Sequence, residues 1–121
     1  MPLDAFVANL RRMISVVRAA DTSGGTRIVL ITPPPVNTRK RAATLAARNP
    51  RQACDREFSV TKQYAEAVLD VAASEHVAAV DVWNAMYNAV EGDERQLDRF
   101  LHDGLHLNQA GYHVRSTFLE L

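Results

Sequence analysis

The chain has 121 residues, 47% of them hydrophobic and 23% charged, which fits a single globular domain spanning 1–121 with its own core and excludes a disordered chain. Its 14 basic residues balance 14 acidic ones, so no net field draws it to nucleic acid or to an anionic membrane. Cys54 is the only cysteine, which excludes an internal disulfide and predicts a reducing, cytoplasmic setting. No apolar run approaches the roughly 18 residues of a membrane span. Asp4, Asn9, Arg11 and Arg12 interrupt any signal-peptide core.

Leu3, Phe6, Val7, Leu10, Met13, Ile14 and Val17 recur at helical spacing, predicting an amphipathic helix from Leu3 to about Ala20 with Pro2 suited to its first turn. Asp21-Thr22-Ser23-Gly24-Gly25 ends it. Arg27 to Thr32 reads as a strand. Its run Ile28 to Ile31 lacks alternation, as in a parallel strand buried on both faces. Pro33-Pro34-Pro35 stops the strand. Residues 37–56 form a long polar connection carrying Arg39, Lys40, Arg41, Arg48, Arg51 and Arg56. It is read as a solvated surface insertion near a site rim, with room for a short helix around Ala42 to Ala47. It lacks the interleaved aromatics of single-strand nucleic-acid binding.

A second helix is predicted from Ser59 to Glu75 and a second buried strand from Val77 to Val82. Short helices follow at Trp83 to Val90 and Arg95 to Leu101. Asn108 is placed to cap a last helix from Gln109 to about Leu119. The order is βαβ, so the strands should be parallel with a right-handed crossover. Two strands are few for a sheet buried on both faces. The chain therefore reads like the latter half of a doubly wound domain, with an open strand edge expected to recruit other chains.

The chemistry concentrates in Leu101-His102-Asp103-Gly104-Leu105-His106-Leu107-Asn108. An Asp three residues before a His, across a Gly turn, can present a carboxylate to one imidazole nitrogen and leave the other free as a base. The bare pattern also suits a loop Asp capping a turn beside a surface His. His102 and His106 are four apart, a metal-ligand spacing only on a continuous helix, which Asp103-Gly104 argues against. His76 and His113 are read as surface residues. Ser15, Ser23, Ser59, Ser74 and Ser116 all lack the strand-to-turn setting of a nucleophile. Cys54 is read as a spectator thiol.

On these residues the chain resembles the SGNH (GDSL) hydrolases, and among them the isoamyl acetate-hydrolysing esterases. Asp103-Gly104-Leu105-His106-Leu107-Asn108 resembles the family's closing Asp-x-x-His block. Val29-Leu30-Ile31-Thr32-Pro33-Pro34-Pro35 resembles the strand and proline loop bordering the family's active site, and Asp81-Val82-Trp83 its final strand. The likeness runs from about Pro2 to Val114. It implies a partial flavodoxin-like, three-layer α/β/α fold with parallel strands. It implies hydrolysis of small carboxylic esters, with Asp103 as triad acid, His106 as base, Pro33, Pro34 and Pro35 lining the substrate cleft, and neither cofactor nor metal. The family's Gly-Asp-Ser nucleophile motif and its oxyanion motifs are not found, and Ser116 to Leu121 looks short for the last helix. The expectation is an esterase-family chain inactive alone. The alternative is a non-catalytic α/β module that binds or interacts.

Overall fold

The computed structural model describes residues 1–117. Helix α1 (Leu3–Ala20) ends where Asp21 turns its carboxylate onto the amides of Ser23, Gly24 and Thr26 at 2.9 to 3.1 Å. Strand β1 (Val29–Ile31) follows, then α2 (Thr38–Arg48), α3 (Phe58–Glu75), β2 (Ala78–Val80) and α4 (Val82–Ala89). A 3₁₀ helix (Glu94–Arg99) and α5 (Gln109–Thr117) complete the order. The predicted end of the last helix, near Leu119, lies outside the described residues.

β1 and β2 pair in parallel, Leu30 opposite Ala79, as the βαβ pattern requires. Both strands are shorter than expected, for local reasons. The Thr32 amide still reaches the Val80 carbonyl at 3.0 Å. The next three residues are prolines without N–H groups, and the ladder stops. On β2, Asp81 is diverted into capping α4, its carboxylate accepting from the Asn84 amide at 3.1 Å. The Thr32 hydroxyl accepts from the Trp83 amide at 3.0 Å, locking the two strand exits together.

Leu30 faces a core made by α1 and α3, with Ile14, Val68, Val71 and Ala72. Arg11 and Arg18 of α1 both pair with Glu75 at the end of α3, at 2.7 and 2.8 Å. A second core joins Val80 to Val82, Met86, Val90, Leu97, Phe100 and Leu101. This core carries the site-bearing loop. The strands are not buried on both faces as their apolar run suggested: Val29 and Ile31, turned away from Leu30, stay 39% and 37% exposed. A groove of about 660 Å³ follows the outer edge of β1, lined among others by Phe6, Leu10, Ile31, Pro33, Val60 and Tyr64.

The polar connection departs most from expectation. It holds an 11-residue helix in place of the short one around Ala42 to Ala47. Asn37 caps it, accepting from the Lys40 amide at 3.1 Å, and the Glu94 carboxylate takes the Thr38 amide at 2.9 Å. Two of the orphan donors of a helix start are thereby satisfied. Its surface is solvated apart from Arg41 and Leu45, which are buried.

Candidate active site

The loop from Leu101 to Asn108 is closed by its own backbone. Leu101 and Leu107 form an antiparallel bridge. The His102 amide donates to the His106 carbonyl at 3.0 Å and the Asn108 amide to the Phe100 carbonyl at 2.9 Å. Asn108 then caps α5 through the Gly111 amide at 3.0 Å. Leu101 is fully buried and anchors the loop in the second core. Gly104 turns the chain at φ +84°, a conformation that disfavours L side chains. Its carbonyl accepts from the Asn37 amide at 3.0 Å, seating the loop on the start of α2.

Within this frame Asp103 is 5% exposed. One carboxylate oxygen, Oδ1, accepts the amides of Leu105 and His106 at 3.0 and 2.8 Å. The other, Oδ2, lies 2.7 Å from His106 Nδ1. A carboxylate only accepts, so the proton sits on Nδ1 and the lone pair on Nε2. Burial opposes ionisation of Asp103, but the His106 amide, the His106 ring and the Leu105 amide outweigh it and hold the carboxyl well below the usual range. The His106 side chain is 64% exposed. Such an imidazole can take a proton at Nε2 while Asp103 balances the charge on the ring. Among the described residues no hydroxyl is hydrogen-bonded to Nε2. Ser74 and Ser116 instead bond back to the Val71 and His113 carbonyls of their own helices.

His102 stacks on His106, ring centroids 5.7 Å apart and planes 19° off parallel. Ligand-type atoms of His102, Asp103 and His106 fall within 4.8 Å of one another. The donor set does not suit a cation. Both Asp103 oxygens are already engaged, and the Arg41 guanidinium lies 3.4 Å from Oδ2. The arrangement suits proton transfer.

Of the prolines expected to line a cleft, Pro35 is fully enclosed, so Pro33 and Pro34, half-buried, remain as candidates. The proline segment leads through buried Val36 and Asn37 to the loop it supports. Sequence reasoning missed Arg41, which is 7% exposed and paired with both Asp55 and Asp103. Only its place in a basic tract was visible. Cys54 is exposed, its thiol 3.1 Å from the Arg56 carbonyl.

A parallel α/β sheet flanked by helices, with an Asp–His pair on a tight loop after the last strand, is the architecture of part of an SGNH hydrolase domain. A family model described as the GDSL-like Lipase/Acylhydrolase family matches residues 1–114, and the chain belongs to that family. It is similar to the isoamyl acetate-hydrolyzing esterase 1 homolog of Bos taurus, 39% identical over 113 residues that cover 92% of this chain and 42% of the relative. A GDSL esterase/lipase of Arabidopsis thaliana is 30% identical over 114 residues, covering 94% of this chain and 45% of the relative. Among solved structures, the lipase/acylhydrolase from Enterococcus faecalis superposes with a TM-score of 0.69 at 25% identity, covering 98% of this chain and 50% of that one. The chain thus spans less than half the length of the curated relatives it matches. No helix among the described residues is long and apolar enough to cross a membrane.

Proposed function

We propose that this chain supplies the acid–base part of a serine esterase acting on small carboxylic esters of the acetate type, and that it does not turn such esters over alone. The observation that carries the reading is the 2.7 Å pairing of His106 Nδ1 with buried Asp103, which leaves Nε2 open. In an assembled site, Nε2 takes the proton of a serine hydroxyl as its oxygen attacks the ester carbonyl, and returns it to the departing alcohol. Water then releases the acid from the acyl-serine by the same proton traffic reversed. Asp103 fixes the ring's tautomer and balances the imidazolium. In this reading Pro33 and Pro34 border the substrate. No cofactor or metal takes part. The single exposed thiol suits a reducing, cytoplasmic setting, and the open edge of β1 is where the chain pairs with other chains.

Removing the nucleophile from a comparable triad lowers turnover on the order of 10⁶-fold, and among the described residues no serine is hydrogen-bonded to His106. The test is hydrolysis of an unactivated alkyl acetate and of a short-chain aryl ester by this chain and by His106→Ala. The expected result is no saturable alkyl acetate turnover, with slow, imidazole-like cleavage of the aryl ester that His106→Ala removes. Saturable alkyl acetate hydrolysis that depends on His106 would overturn the claim of inactivity. Equal aryl ester cleavage by both proteins would argue against His106 as the base and favour a non-catalytic binding module.

A further inference from the structure

Arg41 lies one turn into α2, 7% exposed, beneath the Asp103–His106 loop. Asp55 clamps its guanidinium at two points, Nε to Oδ1 at 3.0 Å and Nη2 to Oδ2 at 3.1 Å. The remaining nitrogen, Nη1, points at Asp103 Oδ2 from 3.4 Å. That oxygen is also the one paired with His106 Nδ1 at 2.7 Å. One carboxylate oxygen is thus shared between a fixed cation and the ring that must become a cation. The contact to Asp103 is longer than the roughly 2.7 to 2.9 Å of a fully formed charge-assisted bond, whereas both contacts to Asp55 are shorter than that to Asp103.

We infer that Arg41 and Asp55 are positioning residues that set the basicity of His106: Arg41 draws on the Asp103 charge that stabilises the imidazolium, and Asp55 limits how far it does so. A carboxylate beside an imidazole favours the protonated ring, and a cation behind that carboxylate disfavours it. A base works best with its pKa near the operating pH. Full possession of Asp103 would hold the ring protonated, and full loss of Asp103 to Arg41 would leave it too weak a base.

The other charged groups around the pair are accounted for. His102 stacks on His106 from the same loop. Lys40, on α2, donates to the Leu101 carbonyl at 3.1 Å and pairs with Asp98 at 3.6 Å. Arg56 sits 3.7 Å from Asp55, and the Cys54 thiol lies near Arg41. Of all these, Arg41 is the group that contacts Asp103 Oδ2 beside the ring. Both partners respond to the clamp. The bond to Asp55 raises Arg41 against burial, and the bond to Arg41 lowers Asp55.

The inference rests on the Asp103–His106 pair being an acid–base unit, and it is tested without any turnover. The ring protons of the four histidines are titrated by NMR in the 121-residue chain and in Asp103→Asn, Arg41→Met, Arg41→Lys and Asp55→Asn. Asp103→Asn lowers the His106 pKa. Arg41→Met raises it by roughly 0.5 to 2 units, the range for one charge about 6 Å away at an effective dielectric between that of water and about 20. Asp55→Asn lowers it, since the released guanidinium moves onto Asp103. Arg41→Lys, which keeps the charge but not the two-point clamp, falls closer to wild type than Arg41→Met does. His76, at the C-terminal cap of α3, holds still and reports an intact fold. If Arg41→Met does not fold, Arg41→Gln takes its place in the comparison of signs with Asp55→Asn, whose side chain is 36% exposed and replaceable. The opposite signs separate tuning from mere support, since a purely structural pair would move His106 the same way whichever partner is lost. Failure of Asp103→Asn to move His106 would sink the acid–base reading itself. A normal Asp103→Asn shift without opposite shifts for the other two would sink only the role of Arg41 and Asp55.

Discussion

Gly104→Ala is the sharpest probe of how the His106 loop is held. The residue sits at φ +84°, and an added Cβ would come within 2.4 Å of the Arg41 amide nitrogen, 2.8 Å of the Asn37 carbonyl oxygen and 3.0 Å of the Arg41 Cα. All three are backbone atoms at the start of α2, so no flexible side chain can swing aside. The left-handed conformation alone costs an L residue about 1 to 2 kcal/mol. Relief of the clash requires the loop to back away from α2, which breaks the 3.0 Å bond from the Asn37 amide to the Gly104 carbonyl, worth about 1 kcal/mol net. The expected destabilisation is about 3 kcal/mol. Gly24→Ala is the matched control: φ is +70° there, but nothing lies within 4 Å of the added carbon, so only the conformational penalty of about 1 kcal/mol applies. The assay is urea unfolding followed by fluorescence of Trp83, the sole tryptophan, which is buried against Phe58 and Tyr87. With a slope of roughly 1 to 3 kcal/mol per molar urea, Gly104→Ala should move the midpoint by about 1 to 2 M more steeply downward than its control. Equal midpoints for the two variants would refute the seating of this loop on α2, and with it the packing that brings Arg41 to Asp103.

Two further outcomes follow from the same structure. The Asp103 carboxyl is held below its ordinary value of about 3.9, so it contributes stability above that value and loses it as pH falls toward the depressed one. The stability gap between wild type and Asp103→Asn, read from urea midpoints, should narrow as pH falls below about 4; a gap that keeps widening below that pH would contradict the assignment. The open edge of β1 should make the wild-type chain associate as concentration rises, and Ile31→Lys, placing a charge at a 37% exposed apolar position, should shift it toward monomer in sedimentation velocity. A wild-type chain that stays monomeric across the micromolar range would mean that the edge is adequately covered.

Much of the architecture was legible because it is written at short range. The 3.6-residue recurrence of Phe6, Leu10, Ile14 and Val17 marks α1 wherever the helix packs, and two apolar runs joined through a helix dictate parallel strands. The Asp103–His106 pair was legible for the same reason: three residues and one glycine turn contain the whole geometry, and Asn108 announces the helix beyond. Asn37 was an available capping signal for α2, but Leu45 is the one large apolar residue in the helix and only it and Arg41 are buried, so the periodicity is faint. What local pattern could not decide was which surface each element meets. The apolar runs of β1 and β2 predict burial on both faces, yet Val29 and Ile31 remain partly open, because burial depends on which elements the chain lays over a strand. Likewise, nothing around Arg41 distinguishes it from Arg39 or Arg48. Its burial follows from the Asn37–Gly104 contact, which brings α2 under a loop 62 residues further along the chain, and there a cation is stable only because Asp55 and Asp103 neutralise it. The sequence by itself determined most of the elements and the Asp103–His106 pairing, whose forces act within a turn or two of chain; the tertiary structure alone decided the company that pair keeps, since desolvation and charge pairing are set by proximity in space.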